Sequence, residues 1–159
     1  MNPLKVSEPT QRWRVGYASG AFDLFHMGHL RYLQAAAEQC ERLIVGVPCD
    51  AIVTRIKARA PVHTQVQRLE VVAALACVDQ ALAVEISMDD ADLFTNFVVD
   101  LGVDALFIGA DWAGTPRWER LCSQLGGRGI NVVFMPRTEG ISSTQLRKKG
   151  LKKEAYTPT

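Results

Sequence analysis

The sequence predicts an α/β fold: a doubly wound, parallel, five-stranded sheet with helices on both faces. Three observations carry this. Strand-like and helix-like segments alternate from Arg14 onward. The strand-like segments are continuous apolar runs, the pattern of parallel strands covered on both sides. The segments that stand out chemically each follow a strand-like run, beyond the strand carboxyl ends where such sheets bind ligands. Crossovers are right-handed by the usual chirality rule.

The elements run as follows. Val15 to Ser19 is the first strand, followed by the Gly-rich turn Gly20 to His29 and an Ala-rich helix from Leu30 to about Ala37. Leu43 to Val47 is the second strand, and Asp50 caps a short helix reaching about Arg55. Gln65 to Ala76 carries Val66, Leu69, Val72, Ala73 and Ala76 at helical spacing. Ala81 to Val84 is a strand, Asp89 to Leu101 a helix, and Ala105 to Ile108 a buried strand. Trp118 to Leu125 is helical, Asn131 to Met135 is the fifth strand, and Ser142 to Lys149 closes the chain as a helix. There is no repeat, low-complexity tract or linker. The expected organisation is one domain over residues 1–159, with a core of about 14–149 and loose ends.

Composition narrows the function classes. The chain has 159 residues, enough for one core, and its hydrophobic content of 48% and charged content of 22% are ordinary for a globular domain. A formal charge of +1 supplies no global field for nucleic acid or a membrane surface. Basic residues cluster at Arg55, Lys57 and Arg59 and again from Arg147 to Lys153, the latter read as a solvated face. Cys40, Cys49, Cys77 and Cys122 lack zinc-site spacing and are expected as free thiols in a cytoplasmic protein. Residues 1–11 lack the apolar core of a signal peptide, and no stretch approaches the roughly 20 apolar residues of a membrane span.

The most informative stretch is Gly20-Ala21-Phe22-Asp23-Leu24-Phe25-His26-Met27-Gly28-His29. Glycines at a strand-to-helix turn let backbone approach a ligand, and a helix start offers free N–H groups to an anion. His26 and His29, three residues apart, share one face of the first helical turn. A second marker is Arg137-Thr138-Glu139-Gly140-Ile141-Ser142-Ser143-Thr144. Capping explains one Ser or Thr at a helix start, but not this whole string.

The first string resembles the GxFDxxHxGH form of the HxGH signature of nucleotidyltransferases. The second resembles the RTEGIS(S/T)T signature of their cytidylyltransferase branch, and the match runs from about Val15 to Lys149. Among those enzymes the glycerol-3-phosphate cytidylyltransferases are the nearest in pattern. The resemblance implies a Rossmann-like fold, Mg²⁺ as cofactor, CTP and a small phosphorylated or phosphonylated alcohol as partners, and a homodimer. It implies that His26, His29, Lys57 and Arg137 act on the phosphates. It places Gly20, Ala21, Phe22, Asp23, Gly28, Asp111, Thr138, Ile141, Ser142, Ser143 and Thr144 around the nucleotide.

Several positions carry alternatives. Asp23 either anchors its loop or assists the metal. Lys57, with Arg59 next, matches the family's basic loop before an "RLE" helix, here Arg68-Leu69-Glu70; a solvated charge run is the plainer reading. Arg68 either reaches the acceptor phosphate or forms a salt bridge on the helix surface. Asp111 and Trp112 match a G-D-D-W turn bordering base and acceptor, while Asp111 could equally cap a helix.

Two departures bear on function. Ala21 stands where the family commonly has Thr or Ser, so a hydroxyl donor to phosphate is lost and nucleotide affinity is expected to fall modestly. The segment Glu85 to Asp92 is acidic where the glycerol-3-phosphate enzymes carry lysines. It reads either as a solvated helix cap or as a wall that disfavours glycerol 3-phosphate and favours an aminoalcohol phosphate or a phosphonate. Glycerol 3-phosphate remains the leading single acceptor. The alternatives are an adenylyltransferase acting on a nucleotide-like or sugar phosphate, one domain of a bifunctional enzyme, and a noncatalytic CTP sensor.

Overall fold

The computed structural model describes residues 12–151; of the loose ends expected on either side of a core of about 14–149, residues 1–11 and 152–159 lie outside the described residues. The strands are β1 (Trp13–Ser19), β2 (Cys40–Pro48), β3 (Gln80–Val84), β4 (Ala105–Gly109) and β5 (Asn131–Met135). They form one sheet in the order β3-β2-β1-β4-β5, every pair parallel. The chain winds outward from β1 to β3, returns to β4 on the other side of β1, and continues to β5. Strand order therefore reverses between β1 and β4, which opens a crevice at their carboxyl ends.

The helices are α1 (Met27–Glu38), α2 (Asp50–Lys57), α3 (Gln65–Ala73), α4 (Ala91–Asp100), α5 (Pro116–Gly127) and α6 (Ser143–Leu151), with a short 3-10 turn at Ala110–Trp112. Each strand sends alternate residues into two cores. On one face Leu33 and Ala36 of α1 and Val72 of α3 pack on Ala18, Val45 and Phe107. On the other, Phe94 and Val98 of α4 and Trp118, Leu121 and Leu125 of α5 pack on Tyr17, Ile44 and Leu106. The doubly wound sheet read from the sequence is the observed one.

The expected boundaries shift where side chains rather than apolar runs decide them. The strand β2 extends to Cys40 and Pro48, because parallel pairing with β1 and β3 continues past the apolar run. Asp50 does not cap α2. Cys49 precedes the helix, and the Asp50 carboxylate turns to Arg68. Thr64 caps α3, its hydroxyl accepting from the Gln67 amide while the Gln67 side chain returns a bond to the Thr64 amide.

One core contact yields a stability prediction. The Tyr17 hydroxyl is fully buried without a hydrogen-bond partner in the described structure. It lies over Gly46, where an added Cβ would come within 1.9 Å of it. Tyr17→Phe removes an unsatisfied polar group and is expected to stabilise the fold by about 1 kcal/mol. Gly46→Ala is expected to cost about 1–3 kcal/mol through overpacking. In the double variant part of that loss should be recovered, a coupling that denaturant melts of all four proteins would reveal.

Candidate active site

The crevice is a cleft of about 290 Å³ lined by residues from the loops after β1, β4 and β5 and from α2 and α6. It gathers Gly20, Ala21, Phe22, Asp23, His26, Gly28, His29, Lys57 and Arg59. Opposite them stand Asp111, Trp112, Arg137, Thr138, Ile141, Ser142, Ser143 and Thr144. Every residue expected at the site lines this cleft except Arg68.

The two histidines are built into the head of α1. His26 is the N-cap: its Nδ1 accepts from the Gly28 amide at 3.0 Å, and the Nδ1 of His29 accepts from the His26 amide at 3.3 Å. The imidazoles thus perform the reciprocal capping usually done by Ser or Thr with Glu. Because both Nδ1 atoms accept, each neutral ring carries its proton on Nε2. The rings stack with centroids 3.9 Å apart. Gly28 is required here, since a Cβ would stand 2.8 Å from the His26 ring.

Burial, with His26 and Lys57 beside it, pushes the His29 pKa down to about 3, against a smaller opposing pull from Asp23. Burial and Arg137 lower His26 as well. Both rings are therefore neutral donors at neutral pH. The linkage follows. Above pH 6.5, neither folded nor unfolded His29 binds a proton. Below it the unfolded chain takes one and the folded ring does not until about pH 3. Stability should fall as pH drops through that window, and less steeply in His29→Asn. Thermal melts of both proteins across the window check this.

The loop ahead of α1 is tightly wound, with Phe22 and Leu24 at positive φ of 54° and 48°. Asp23 lies buried between them and holds the site together. Its carboxylate accepts from the amides of Val62 and His63, each at 2.9 Å, and pairs with Arg147, while the Ser143 hydroxyl donates to its carbonyl at 2.7 Å. Burial raises the Asp23 pKa, but the His63 and Val62 amides and Arg147 outweigh it, and the net shift is downward. Of the two readings of Asp23, loop anchor and metal ligand, this geometry supports the anchor.

Four cations face the cleft. Arg59 reaches Thr144 at 3.3 Å and Arg137 reaches Asp111 at 3.3 Å. Arg147 is held by Asp23, and Lys57 is lowered first by burial and then by the neighbouring Arg59, Arg147 and Arg137. The plain helix-cap reading of Asp111 fails, because Thr115 occupies the position before α5. Of the three hydroxyls at the head of α6, Ser142 accepts from the Gln145 amide and Ser143 donates to Asp23.

A family model described as cytidylyltransferase-like matches residues 17–149. The chain belongs to the cytidylyltransferase-like family of nucleotidyltransferases. Among curated relatives of this family member, the bifunctional protein HldE of Bradyrhizobium diazoefficiens is 47% identical over 138 residues, covering 86% of the chain and 26% of that protein. The bifunctional protein HldE of Nitrobacter hamburgensis is 34% identical over 142 residues, covering 87% and 27%. The chain thus spans about a quarter of the length of the curated relatives it matches. A lipopolysaccharide core biosynthesis protein from Thermoplasma volcanium superposes with a TM-score of 0.62 at 25% identity, covering 79% of this chain and 96% of that one. Pantothenate synthetase from Thermus thermophilus, at 14% identity and TM-score 0.54, shares the fold.

Three sequence readings are decided by this cytidylyltransferase-like structure. Arg68 is no acceptor ligand and forms no surface salt bridge with Glu70. It is 1% exposed, and its guanidinium donates to the carbonyls of His63 (3.1 Å), Ala21 (2.8 Å) and Pro48 (2.9 Å) and to Asp50 (2.7 Å). Of the two readings of the acidic segment, helix cap and cleft wall, the structure supports the cap. Asp89 pairs with Arg55 and Arg117, Asp90 caps α4, and Asp92 accepts from Gln124. Arg147 does not belong to a solvated face. It lies one helical turn beyond Ser143, on the side of α6 that meets Asp23.

Arg147, although read from the sequence as part of a solvated run, also ends the string Ile141 to Arg147, which resembles the ISSTxxR form of adenylyltransferases. Arg117, which stacks on Trp112, left no sequence signal. No three His, Cys, Asp or Glu side chains converge as a metal cage among the described residues, and the Asp23 oxygens are already engaged. A divalent metal therefore finds no ready cage of protein ligands among the described residues. No helix among the described residues is long and apolar enough to cross a membrane.

Proposed function

We propose that this domain transfers a nucleoside monophosphate from a nucleoside triphosphate to the phosphate of a small phosphorylated alcohol or sugar. An acceptor oxygen attacks the α-phosphorus, a P–O bond forms, and the bond to the departing pyrophosphate breaks. Nucleophile and leaving group are already anionic, so catalysis rests on positioning and charge stabilisation rather than on a general base. The observation that carries the reading is the stacked imidazole pair, with both Nδ1 atoms engaged by the helix and both Nε2–H groups left as donors. Lys57, Arg59, Arg137 and Arg147 in the same cleft supply the charge that a triphosphate and an acceptor phosphate require.

The Arg137-to-Thr144 segment supports CTP as donor, with glycerol 3-phosphate as the leading acceptor. A second reading, ATP with a sugar phosphate, has its own support. Arg147 completes the ISSTxxR form and lines the cleft. One solved relative is named a lipopolysaccharide core biosynthesis protein, a name that points to saccharide chemistry. The HldE relatives are bifunctional, which supports the reading that a domain like this one can serve as half of a two-activity protein. Homodimerisation, Mg²⁺ dependence and a cytoplasmic setting belong to the same proposal.

The test is pyrophosphate release with Mg²⁺ and either CTP or ATP, against glycerol phosphate, aminoalcohol phosphates, hydroxyalkylphosphonates and sugar phosphates. Release with CTP and glycerol phosphate establishes the first reading. Release with ATP and a sugar phosphate establishes the second. Nucleotide binding without release from any acceptor overturns the enzymatic reading in favour of a sensor.

A further inference from the structure

Behind the Lys57 side of the cleft lies a second chamber of about 130 Å³. It shares Gly20, Ala21, Val53, Lys57 and Trp112 with the nucleotide cleft, so the two spaces meet between the turn after β1, α2 and the 3-10 turn. Its floor is apolar, made by Pro48, Val53, Ile56, Met88, Ile108 and Trp118. Its polar side chains are Ser19, Lys57 and Arg117.

Arg117 is held from two sides. Its guanidinium lies 5.6 Å from the Trp112 ring centroid and 2.5 Å from the Asp89 carboxylate. Asp89 also receives Arg55 at 3.2 Å, so this carboxylate is shared by two guanidinium groups. No carboxylate lines the chamber, and its two charged side chains are both cations. Of the acidic segment that suggested an amine-bearing acceptor, no carboxylate lines the chamber, and Asp89, the one that approaches it, is paired with Arg55 and Arg117.

The geometry points to this chamber as the seat of the acceptor's non-phosphate end, with Arg117 selecting a hydroxyl-bearing end over an amine-bearing one. The inference rests on the nucleotidyl-transfer reading and names the substrate class of that site. With the acceptor phosphate beside Lys57, an ammonium at the far end would meet Arg117, whose partner Asp89 is already shared with Arg55 and does not line the chamber. A hydroxyl can accept from the guanidinium and exchange a hydrogen bond with Ser19. Small methylene or ring C–H surfaces suit the apolar floor.

The test uses two phosphate esters of nearly equal size, 2-hydroxyethyl phosphate and ethanolamine phosphate. Their binding is measured calorimetrically on the whole chain saturated with a non-hydrolysable CTP or ATP analogue. The hydroxyl ester should bind about tenfold tighter or better, from like-charge repulsion of the amine. Arg117→Gln should collapse that ratio to below about threefold, whereas Arg117→Lys, which keeps the charge, should retain most of it. Equal binding, preference for the amine, or a ratio unchanged in Arg117→Gln overturns the assignment. Binding of the nucleotide analogue but of neither ester also overturns it, while leaving the nucleotide site standing. Esters bound in the expected order by a chain that ignores both nucleotides would support the chamber and overturn the nucleotidyl-transfer reading instead.

Discussion

Replacing His26 or His29 by asparagine is expected to lower turnover by about a hundredfold to a thousandfold, with little loss of stability. The choice of asparagine separates the two tasks each imidazole performs. Its Oδ1 sits where the histidine Nδ1 sits and can still accept the capping amide, from Gly28 in one case and from His26 in the other. Asparagine is also a good N-cap residue. What the substitution removes is the Nε2–H donor, which in the proposed reaction meets phosphate oxygens as negative charge builds toward the transition state. The loss should therefore fall on kcat more than on the nucleotide KM. Glutamine at the same positions reverses the separation, since it loses the cap acceptor but returns an amide donor at greater reach. Single-turnover pyrophosphate release together with thermal melts checks both. Near-normal turnover in both asparagine variants would remove the histidines from the proposed chemistry.

Arg68→Met is expected to destabilise the fold by about 3–5 kcal/mol, the penalty for breaking a buried charged network. The side chain of Arg68 has no exposed area and makes four hydrogen bonds to three different segments. Ala21 belongs to the turn that carries the histidines, Pro48 and Asp50 to the junction of β2 and α2, and His63 to the loop before α3. Methionine fills much of the volume but leaves three carbonyls without their donor. Lysine keeps the positive charge beside Asp50 but lacks the planar fork that spans the set, so it should recover only part of the loss. Urea denaturation should show a lower midpoint with an unchanged slope. An acceptor ligand would behave differently, raising the acceptor KM in a protein of normal stability. An Arg68→Met protein as stable as the parent would therefore refute the strut assignment.

The basic side chains show how far linear reading reaches. Arg137 was legible because it stands in a loop that follows a strand, and such loops converge by topology; Lys57 and Arg59 were legible because they match a basic segment ahead of the Arg68-Leu69-Glu70 helix. Arg68 and Arg147 looked, respectively, like a ligand and like part of a solvated run. Their fates depend on what lies opposite. Arg68 faces a ring of backbone carbonyls contributed by residues 5 to 47 positions away. Arg147 faces a carboxylate 124 positions away. A one-dimensional pattern records a side chain's own periodicity but not the partner folded onto it. The acidic segment carried two readings for the same reason: Asp90 proves to be the helix cap, while Asp89 is neutralised by Arg55 and Arg117, which approach from other elements.

By itself the sequence determined the parallel doubly wound sheet, the strand ends at which a site forms, and the two motifs that assign the family. These follow from local apolar runs and from glycines and hydroxyls at turns, both of which are properties of neighbouring residues. The tertiary structure alone decided the tautomers of the paired histidines and the anchoring role of Asp23. It also decided the burial of Arg68 and the sign of charge in the chamber beside Trp112. Each of those depends on which donor, acceptor or charge stands across a gap of a few ångströms, and that is set only when distant segments pack.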